Sequence, residues 1–153
     1  MEWNNINELC DLIRKTSLDI HRYHRSGHLE KIYENALAHR LRKMGLEVEQ
    51  QYRLVVYDAD GTELGEYYAD LFIEGQLIVE LKACKSILSE HVAQILGYLR
   101  SSGIEHGLLI NFGAQKLFIK KYILDRNPLL PASVLKNRVL GLCASCASLW
   151  PFV

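Results

Sequence analysis

The chain has 153 residues, and its 18 basic and 18 acidic side chains give a formal net charge of zero. This length predicts one domain, and a composition of 49% hydrophobic and 24% charged residues argues against a disordered or fibrous chain. No apolar run approaches the roughly 18 residues of a membrane span, and the start, MEWNNINELC, does not resemble a secretory signal. We therefore expect a cytoplasmic protein without a membrane partner.

The neutral total conceals segments of opposite charge. Basic residues predominate in residues 21–43 and 114–153, whereas acidic residues predominate in residues 44–113. If the fold brings the basic segments beside an acidic pocket, the surface would suit a phosphate backbone and a divalent cation. Solvated helix faces of mixed charge are the alternative. We interpret one group as a possible phosphate-contacting rim: His21, Arg22, His24, Arg25 and His28.

The cysteines are too irregularly spaced for a disulfide framework. Cys10 falls at an apolar helix position and is predicted to be in the core. Cys143 and Cys146 form a CxxC pair, which is a weak metal signal without a second pair or histidines at ligand spacing.

Two helices open the chain. Asn5 and Glu8 resemble a capping box, and an amphipathic pattern follows to about His24. Gly27 breaks the chain, and a second helical pattern runs from about residue 29 to 44, with Gly45 placed as a C-terminal cap.

After Gly45 the apolar period changes to two, which predicts a strand. Its alternate residues are expected on one face: Val48, Gln50, Tyr52, Leu54 and Val56. A turn at residues 58–61 leads to a partner strand over 64–73, and a tight turn at 74–76 leads to a third strand over 77–82. These segments predict an antiparallel meander of three strands.

A third helix begins at Ser86 or Ser89 and ends at Gly103, and strands follow at residues 107–112 and 116–122. The helical crossover predicts that the fourth strand runs parallel to the third. We therefore expect an α/β (α+β) fold with one mixed sheet flanked by helices. Residues 1–126 would form this domain, and residues 127–153 would form a poorly specified C-terminal tail.

Three charged residues interrupt an apolar hairpin, where unpaired charges are unfavourable: Asp70, Glu80 and Lys82. Their position indicates a functional site. With residues 74 and 75 at the centre of the turn, Ile73 faces Gln76 and Asp70 lies opposite Val79, beside Glu80. Glu80 and Lys82 point to the same face. Mg²⁺ or Mn²⁺ suits the two carboxylates, and an ion pair at the sheet edge is the alternative.

Asp70, followed after nine residues by Glu80-Leu81-Lys82, resembles the D…(D/E)xK signature of the PD-(D/E)xK nuclease superfamily, with Ala69 in place of the usual proline. Residues 94–98 (QILGY) resemble the QxxxY motif of its RecB-like branch, and residues 27–33 (GHLEKIY) match the motif of the GxxExxY protein family. The resemblance covers about residues 6–124. It implies a restriction-endonuclease-like fold.

The resemblance also implies roles for individual residues. Asp70, Glu80 and Glu30 would be metal ligands, and Lys82 the catalytic lysine. Gln94 and Tyr98 would line the same pocket. Structural alternatives remain for several of these residues: Glu30 as an acid favoured by the helix dipole, Gln94 as a surface residue, and Tyr98, like Tyr33, as packing.

We accordingly expect a Mg²⁺- or Mn²⁺-dependent nuclease that hydrolyses phosphodiester bonds in DNA or RNA. The alternative from another class is a catalytically silent module on a nuclease fold that binds nucleic acid or protein. An iron–sulfur nuclease with four cysteine ligands is disfavoured because Cys84 lies beside the acidic site. The sequence leaves a homodimer, the strand preference and the mode of cleavage open.

Overall fold

The computed structural model describes residues 5–125 and confirms the predicted order of elements. These elements are α1 (Ile6–His24), α2 (Glu30–Lys43), β1 (Val48–Tyr57), β2 (Glu63–Ile73), β3 (Leu77–Lys82), α3 (Ser89–Ser102), β4 (His106–Asn111) and β5 (Phe118–Ile123). The predicted tail and its cysteine pair, Cys143 and Cys146, lie outside the described residues.

The five strands form one mixed sheet in the order β1-β2-β3-β4-β5. β3 and β4 are parallel, as the crossover through α3 predicts, and the other neighbours are antiparallel. This arrangement confirms the α/β class and the meander. No helix within residues 5–125 combines the length and apolarity that a bilayer crossing requires.

Capping side chains and glycines mark the ends of the helices. The Asn5 side chain accepts a hydrogen bond from the Asn7 backbone N–H at 3.0 Å and so caps α1. The predicted capping box is incomplete, because Glu8 accepts from the Asn5 side-chain amide instead of its backbone N–H. Gly45 and Gly103, which follow α2 and α3, have φ angles of 88° and 69° in the left-handed region that favours glycine.

Two clusters of apolar side chains cover the two faces of the sheet. The larger contains the buried apolar side chains of α1 and α2, including Leu9 and Leu37, and the smaller contains Tyr98 and Leu99 of α3. Alternate residues of β3 divide between them, with Val79 in the larger cluster and Ile78 in the smaller. Cys10 is buried in the larger cluster, which confirms its predicted core position.

The prediction that alternate residues of β1 share one face is wrong. Val48 packs in the larger cluster, whereas Tyr52 and Leu54 pack in the smaller one. Gln51 has a φ angle of 52°, in the left-handed region, which interrupts the regular alternation. Even-numbered residues of β1 therefore face the larger cluster before Gln51 and the smaller cluster after it.

The predicted register of the second hairpin is wrong by one residue. Ile73 pairs with Leu77, and residues 74–76 form a three-residue loop in which Glu74 and Gly75 have φ angles of 53° and 64°. Leu71 is consequently the partner of Val79. This register brings Asp70 opposite Glu80, closer than the sequence-based pairing placed it.

Candidate active site

Asp70 and Glu80 lie where β2 and β3 separate. The pairing of these strands extends as far as Leu71 and Val79. Beyond it, the Leu81 backbone N–H donates to the Asp70 carboxylate at 2.7 Å, and the Asp70 N–H points at the Glu80 carboxylate at 3.5 Å. Both acids are buried, with 8% and 3% of their surface exposed. The predicted pair of carboxylates is thus brought together inside the sheet.

Burial and mutual repulsion disfavour two charged carboxylates at this point. Burial raises the pKa of Asp70 to about 6, against the opposing hydrogen bond from Leu81, and the charges of Glu30 and Glu34 add to the rise. Burial, followed by the charge of Asp70, raises the pKa of Glu80 to about 8. A bound cation would relieve both effects.

Lys82 is the cation nearest to this pair. Its ammonium lies 3.1 Å from Glu80 Oε1, and 13% of its side chain is exposed. The ion pair of the alternative interpretation therefore exists, but the pKa of both acids remains raised despite its charge. One ammonium therefore does not offset the burial and mutual repulsion of the two carboxylates.

Two further residues, Glu34 and Gln51, contact the acidic pair or its neighbours although the sequence did not indicate them. Glu34 is buried and accepts hydrogen bonds from Lys31, Gln50 and Gln51. The Gln51 amide donates to Glu34 at 3.0 Å and to Asp70 at 3.3 Å, so it links the two acids. Glu34 lies one helical turn after Glu30, which was the available signal. No local signal indicates the unusual backbone at Gln51.

Glu30 lies in the first turn of α2, close enough for its charge to raise the pKa of Asp70. Within residues 5–125, no three or more His, Cys, Asp or Glu side chains are arranged to hold a metal ion. The donors that do converge are the two hard oxygen groups of Asp70 and Glu80. Mg²⁺ is commonly bound through one or two carboxylates and several waters, so this donor set fits such a cation without Glu30.

Tyr98 and Gln94 come together on α3 beside the acids. The Gln94 amide donates to the Tyr98 hydroxyl at 2.7 Å. Burial, followed by the charge of Glu80, raises the pKa of Tyr98 to about 12, so the phenol stays protonated near Glu80. Gln94 therefore bonds its helix neighbour instead of Lys82. His91 accepts a hydrogen bond from the Leu88 N–H at 3.0 Å and so caps the N-terminus of α3.

Tyr33 fixes the turn between α1 and α2. It is fully buried and stacks on Phe112 with ring centroids 4.7 Å apart. Its hydroxyl donates to the Arg25 carbonyl and accepts from the His28 N–H. Gly27 has a φ angle of 115°, as a chain break requires. The packing interpretation of Tyr33 is confirmed.

His21 does not belong to the predicted phosphate-contacting rim. Its ring is buried, and Nε2 donates to the Ala114 carbonyl at 2.9 Å. The helical period turns this position toward the core, whereas the Arg22 side chain is exposed. The rim is therefore reduced to its arginines and the two remaining histidines.

Asn111 secures the segment that follows β3. Its side-chain oxygen accepts from the Cys84 and Gly113 N–H groups at 3.1 and 3.0 Å, and its amide donates to the Cys84 carbonyl at 2.9 Å. Gly113 is packed so closely that a Cβ atom would lie 2.3 Å from the Cys84 nitrogen. These contacts hold the backbone two residues after Lys82.

A basic groove lies between α1 and the end of α2. It has a volume of about 330 Å³ and is lined by Leu12, Lys15, Thr16, Asp19, Arg40, Lys43 and Met44. Asp19 pairs with Arg22 outside the groove at 3.5 Å. Among the described residues, no ion pair engages Lys15, Arg40 or Lys43. Arg40 lies about 15 Å along the helix axis from Glu30, at ~1.5 Å per residue.

Comparison with known proteins gives two matches of interest. A profile of the PD-(D/E)XK nuclease superfamily matches residues 7–122, from the first turn of α1 to β5. Among solved structures, the crystal structure of SSO0001 is similar, with a TM-score of 0.50 and 16% identity over 73% of this chain and 58% of that one. The latter similarity concerns the fold alone, and this chain spans little more than half of that protein. Curated proteins give no match.

Proposed function

Because the chain belongs to the PD-(D/E)XK nuclease superfamily, we propose that it is a nuclease of the GxxExxY type, which uses Mg²⁺ or Mn²⁺ to hydrolyse phosphodiester bonds. One observation supports this proposal most strongly. Asp70 and Glu80 are buried side by side where two strands separate, with a single ammonium, Lys82, beside them. Without a bound cation, two buried carboxylates side by side are unfavourable. Together they provide the oxygen ligands that a divalent cation binds.

Asp70 and Glu80 would hold the cation, and Glu30 would add negative charge nearby. When bound, a divalent cation polarises a phosphoryl oxygen and lowers the pKa of water. The protein supplies two hard ligands at fixed positions. Asp70 is held by the Leu81 N–H and the Gln51 amide, so its carboxylate is oriented before any ligand arrives.

Lys82 and Tyr98 would act on the substrate. The Lys82 ammonium, held 3.1 Å from Glu80, stabilises the negative charge that builds on the phosphate or orients the attacking water. The Tyr98 phenol remains protonated because its pKa is raised to about 12, so its O–H can donate to a phosphate oxygen. Gln94 positions this phenol through their hydrogen bond of 2.7 Å.

Cleavage of labelled single- and double-stranded DNA and RNA in Mg²⁺ or Mn²⁺ tests the proposal. Glu80→Ala should abolish cleavage. Lys82→Ala should still bind metal and nucleic acid but cleave on the order of 100-fold more slowly, as expected for removal of one transition-state stabiliser. Lys85→Ala is the matched control, because that lysine is exposed and lies three residues further on; it should cleave like the wild type.

A catalytically silent module predicts a different pattern. If Lys82 serves only to neutralise Glu80, then Lys82→Ala should leave buried acids unpaired and destabilise the metal-free protein by roughly 3–5 kcal/mol. A wild-type chain that cleaves none of these substrates, together with such a destabilised variant, would favour the binding module over the nuclease.

A further inference from the structure

Tyr67 is an exposed aromatic side chain beside the acidic site. It lies on β2, three residues before Asp70, and 48% of its surface is exposed. Its ring is tilted against the ring of Tyr98, with centroids 5.4 Å apart. Burial raises the pKa of the Tyr98 phenol, and Glu80 is close enough for its carboxylate charge to raise that pKa further. One buried ring thus separates the half-exposed ring of Tyr67 from the carboxylate pair.

The surface around Tyr67 is open along the strand. The next residue of β2 on the same face is Gly65, which has no side chain, and a Cβ atom built there would meet nothing within 4 Å. On the neighbouring strand β1, Tyr67 pairs with Leu54, whose side chain is buried in the smaller apolar cluster. A flat ligand therefore has space to lie against the exposed part of the Tyr67 ring.

Tyr68 provides the contrast on the opposite face of the same strand. It is exposed to the same extent, 47%, but its hydroxyl donates to Glu66, which is paired with Arg53. It is therefore tied into a charged surface away from the acids. Tyr67 instead packs against Tyr98, so a single ring separates it from the carboxylate pair.

We infer that Tyr67 is a stacking platform for an unpaired base next to the phosphate at the acidic site, so that the substrate is single-stranded at this point. The inference rests on the proposed nuclease function and names its substrate class. Aromatic side chains stack on bases of any identity, because every base has a π face. A base inside a duplex already has its faces covered, so the platform discriminates between unpaired and paired strands.

Fluorescence anisotropy with the full chain tests the inference. The probes are a short labelled DNA strand, the same strand with abasic sites in place of its central bases, and the corresponding duplex, all in Ca²⁺. Tyr67→Ala should weaken binding of the intact strand by on the order of 10- to 100-fold, with little effect on the abasic strand or the duplex. Tyr67→Trp should bind the intact strand like the wild type, and so should the control Tyr68→Ala.

Tyr67→Leu controls for loss of folding. It keeps an apolar side chain over Tyr98 but has no π face. With a melting temperature near that of the wild type, it should lose single-strand binding as Tyr67→Ala does. The inference is overturned if either variant binds the intact strand normally. It is equally overturned if they lose the same affinity for the abasic strand and the duplex, or if Tyr68→Ala loses as much.

Cleavage by the wild type separates this inference from the proposed function. If Tyr67-dependent binding of single strands is found but no substrate is cleaved in Mg²⁺ or Mn²⁺, the stacking platform stands and the nuclease function fails. If single strands are cleaved and Tyr67→Leu leaves both KM and binding unchanged, the nuclease function stands and the stacking platform fails.

Discussion

At the scale of single residues, the site depends on the acidic pair, Asp70 and Glu80, and on the Gln51 amide that orients Asp70. Asp70, Glu80 and Lys82 are recognisable because charged residues are rare in an apolar hairpin. Gln51 is different. Its amide reaches Asp70 from a backbone with a φ angle of 52°, and nothing in a run of strand residues predicts that conformation. The charged centre of the site was thus predictable, whereas the amide that orients it was not.

The acidic pair predicts how stability depends on pH. Burial raises the pKa of Asp70 to about 6 and that of Glu80 to about 8, so the folded state binds protons more tightly than the unfolded chain. Their contribution to the free energy of unfolding is therefore fully present below the ordinary carboxyl pKa of about 4 and is lost as the pH rises through about 6 and about 8.

Glu80→Gln isolates the upper part of this effect, because the amide resembles the protonated acid. In thermal melts without metal, the variant should gain stability relative to the wild type between pH 6 and pH 9. Saturating Mn²⁺ should reduce that difference by stabilising the charged wild-type pair. Melting temperatures that stay parallel at every pH would contradict the raised pKa of Glu80.

The same residues predict which side chains Mn²⁺ binding requires. Asp70→Ala or Glu80→Ala should abolish Mn²⁺ binding in a calorimetric titration, because each removes one of the two converging carboxylates. Both variants should remain folded or become slightly more stable without metal, because like-charge repulsion is relieved. Glu63→Ala, which removes an exposed acid, should titrate like the wild type. Wild-type affinity in both site variants would restore the ion-pair interpretation.

At the scale of elements, the period of apolar residues predicts all eight helices and strands between residues 5 and 125. Register is less predictable, because it depends on the backbone of a loop. Glu74 adopts a left-handed φ angle although it is not glycine, and this extends the loop to three residues and moves Asp70 opposite Glu80. The element was predictable from side chains, but its exact pairing was not.

Alanine substitutions at two glycines should change the stability of the protein in opposite directions. In Gly113→Ala, the new Cβ would lie 2.3 Å from the Cys84 nitrogen and 2.4 Å from the Ala83 carbonyl carbon, so the backbone after Lys82 must move. We expect a loss of about 1–3 kcal/mol in the free energy of unfolding, with weaker Mn²⁺ binding. In Gly97→Ala, nothing lies within 4 Å, and better helix propensity should add about 0.5–1 kcal/mol.

Urea unfolding of the two variants measures these opposite shifts. Gly97 serves as the control, because it lies inside α3 and adding a methyl group there tests propensity without a clash. Equal stability of Gly113→Ala and the wild type would mean that the segment after Lys82 yields without strain. The contact between β4 and that segment would then not hold the site.

At the scale of the whole molecule, charge is segregated although the net charge is zero. The sequence predicts basic segments on either side of an acidic one, and the fold places basic residues of α1 and α2 together in the groove that contains Lys15, Arg40 and Lys43. It also removes His21 from the surface. Which basic residues become neighbours depends on helix packing, and a linear count of charges does not contain that information.

If the proposed nuclease binds nucleic acid along this groove, the groove predicts how that binding depends on salt. Each cation that neutralises a phosphate contributes roughly 0.7 to 0.9 to the slope of log affinity against log salt. Replacing Lys15, Arg40 and Lys43 together by alanine should therefore reduce the slope by about 2 to 3. Metal binding at Asp70 and Glu80 should not change, because neither acid lines the groove.

Binding of a labelled strand at several salt concentrations measures the slope. Lys120→Ala is the control, because that lysine lies on β5 over the ring of Tyr122 and outside the groove; it should change the slope by less than about 1. If the triple variant keeps the wild-type slope, the groove cations do not contact phosphate. A variant that loses affinity equally at all salt concentrations would show damage to the fold instead of loss of counterion release.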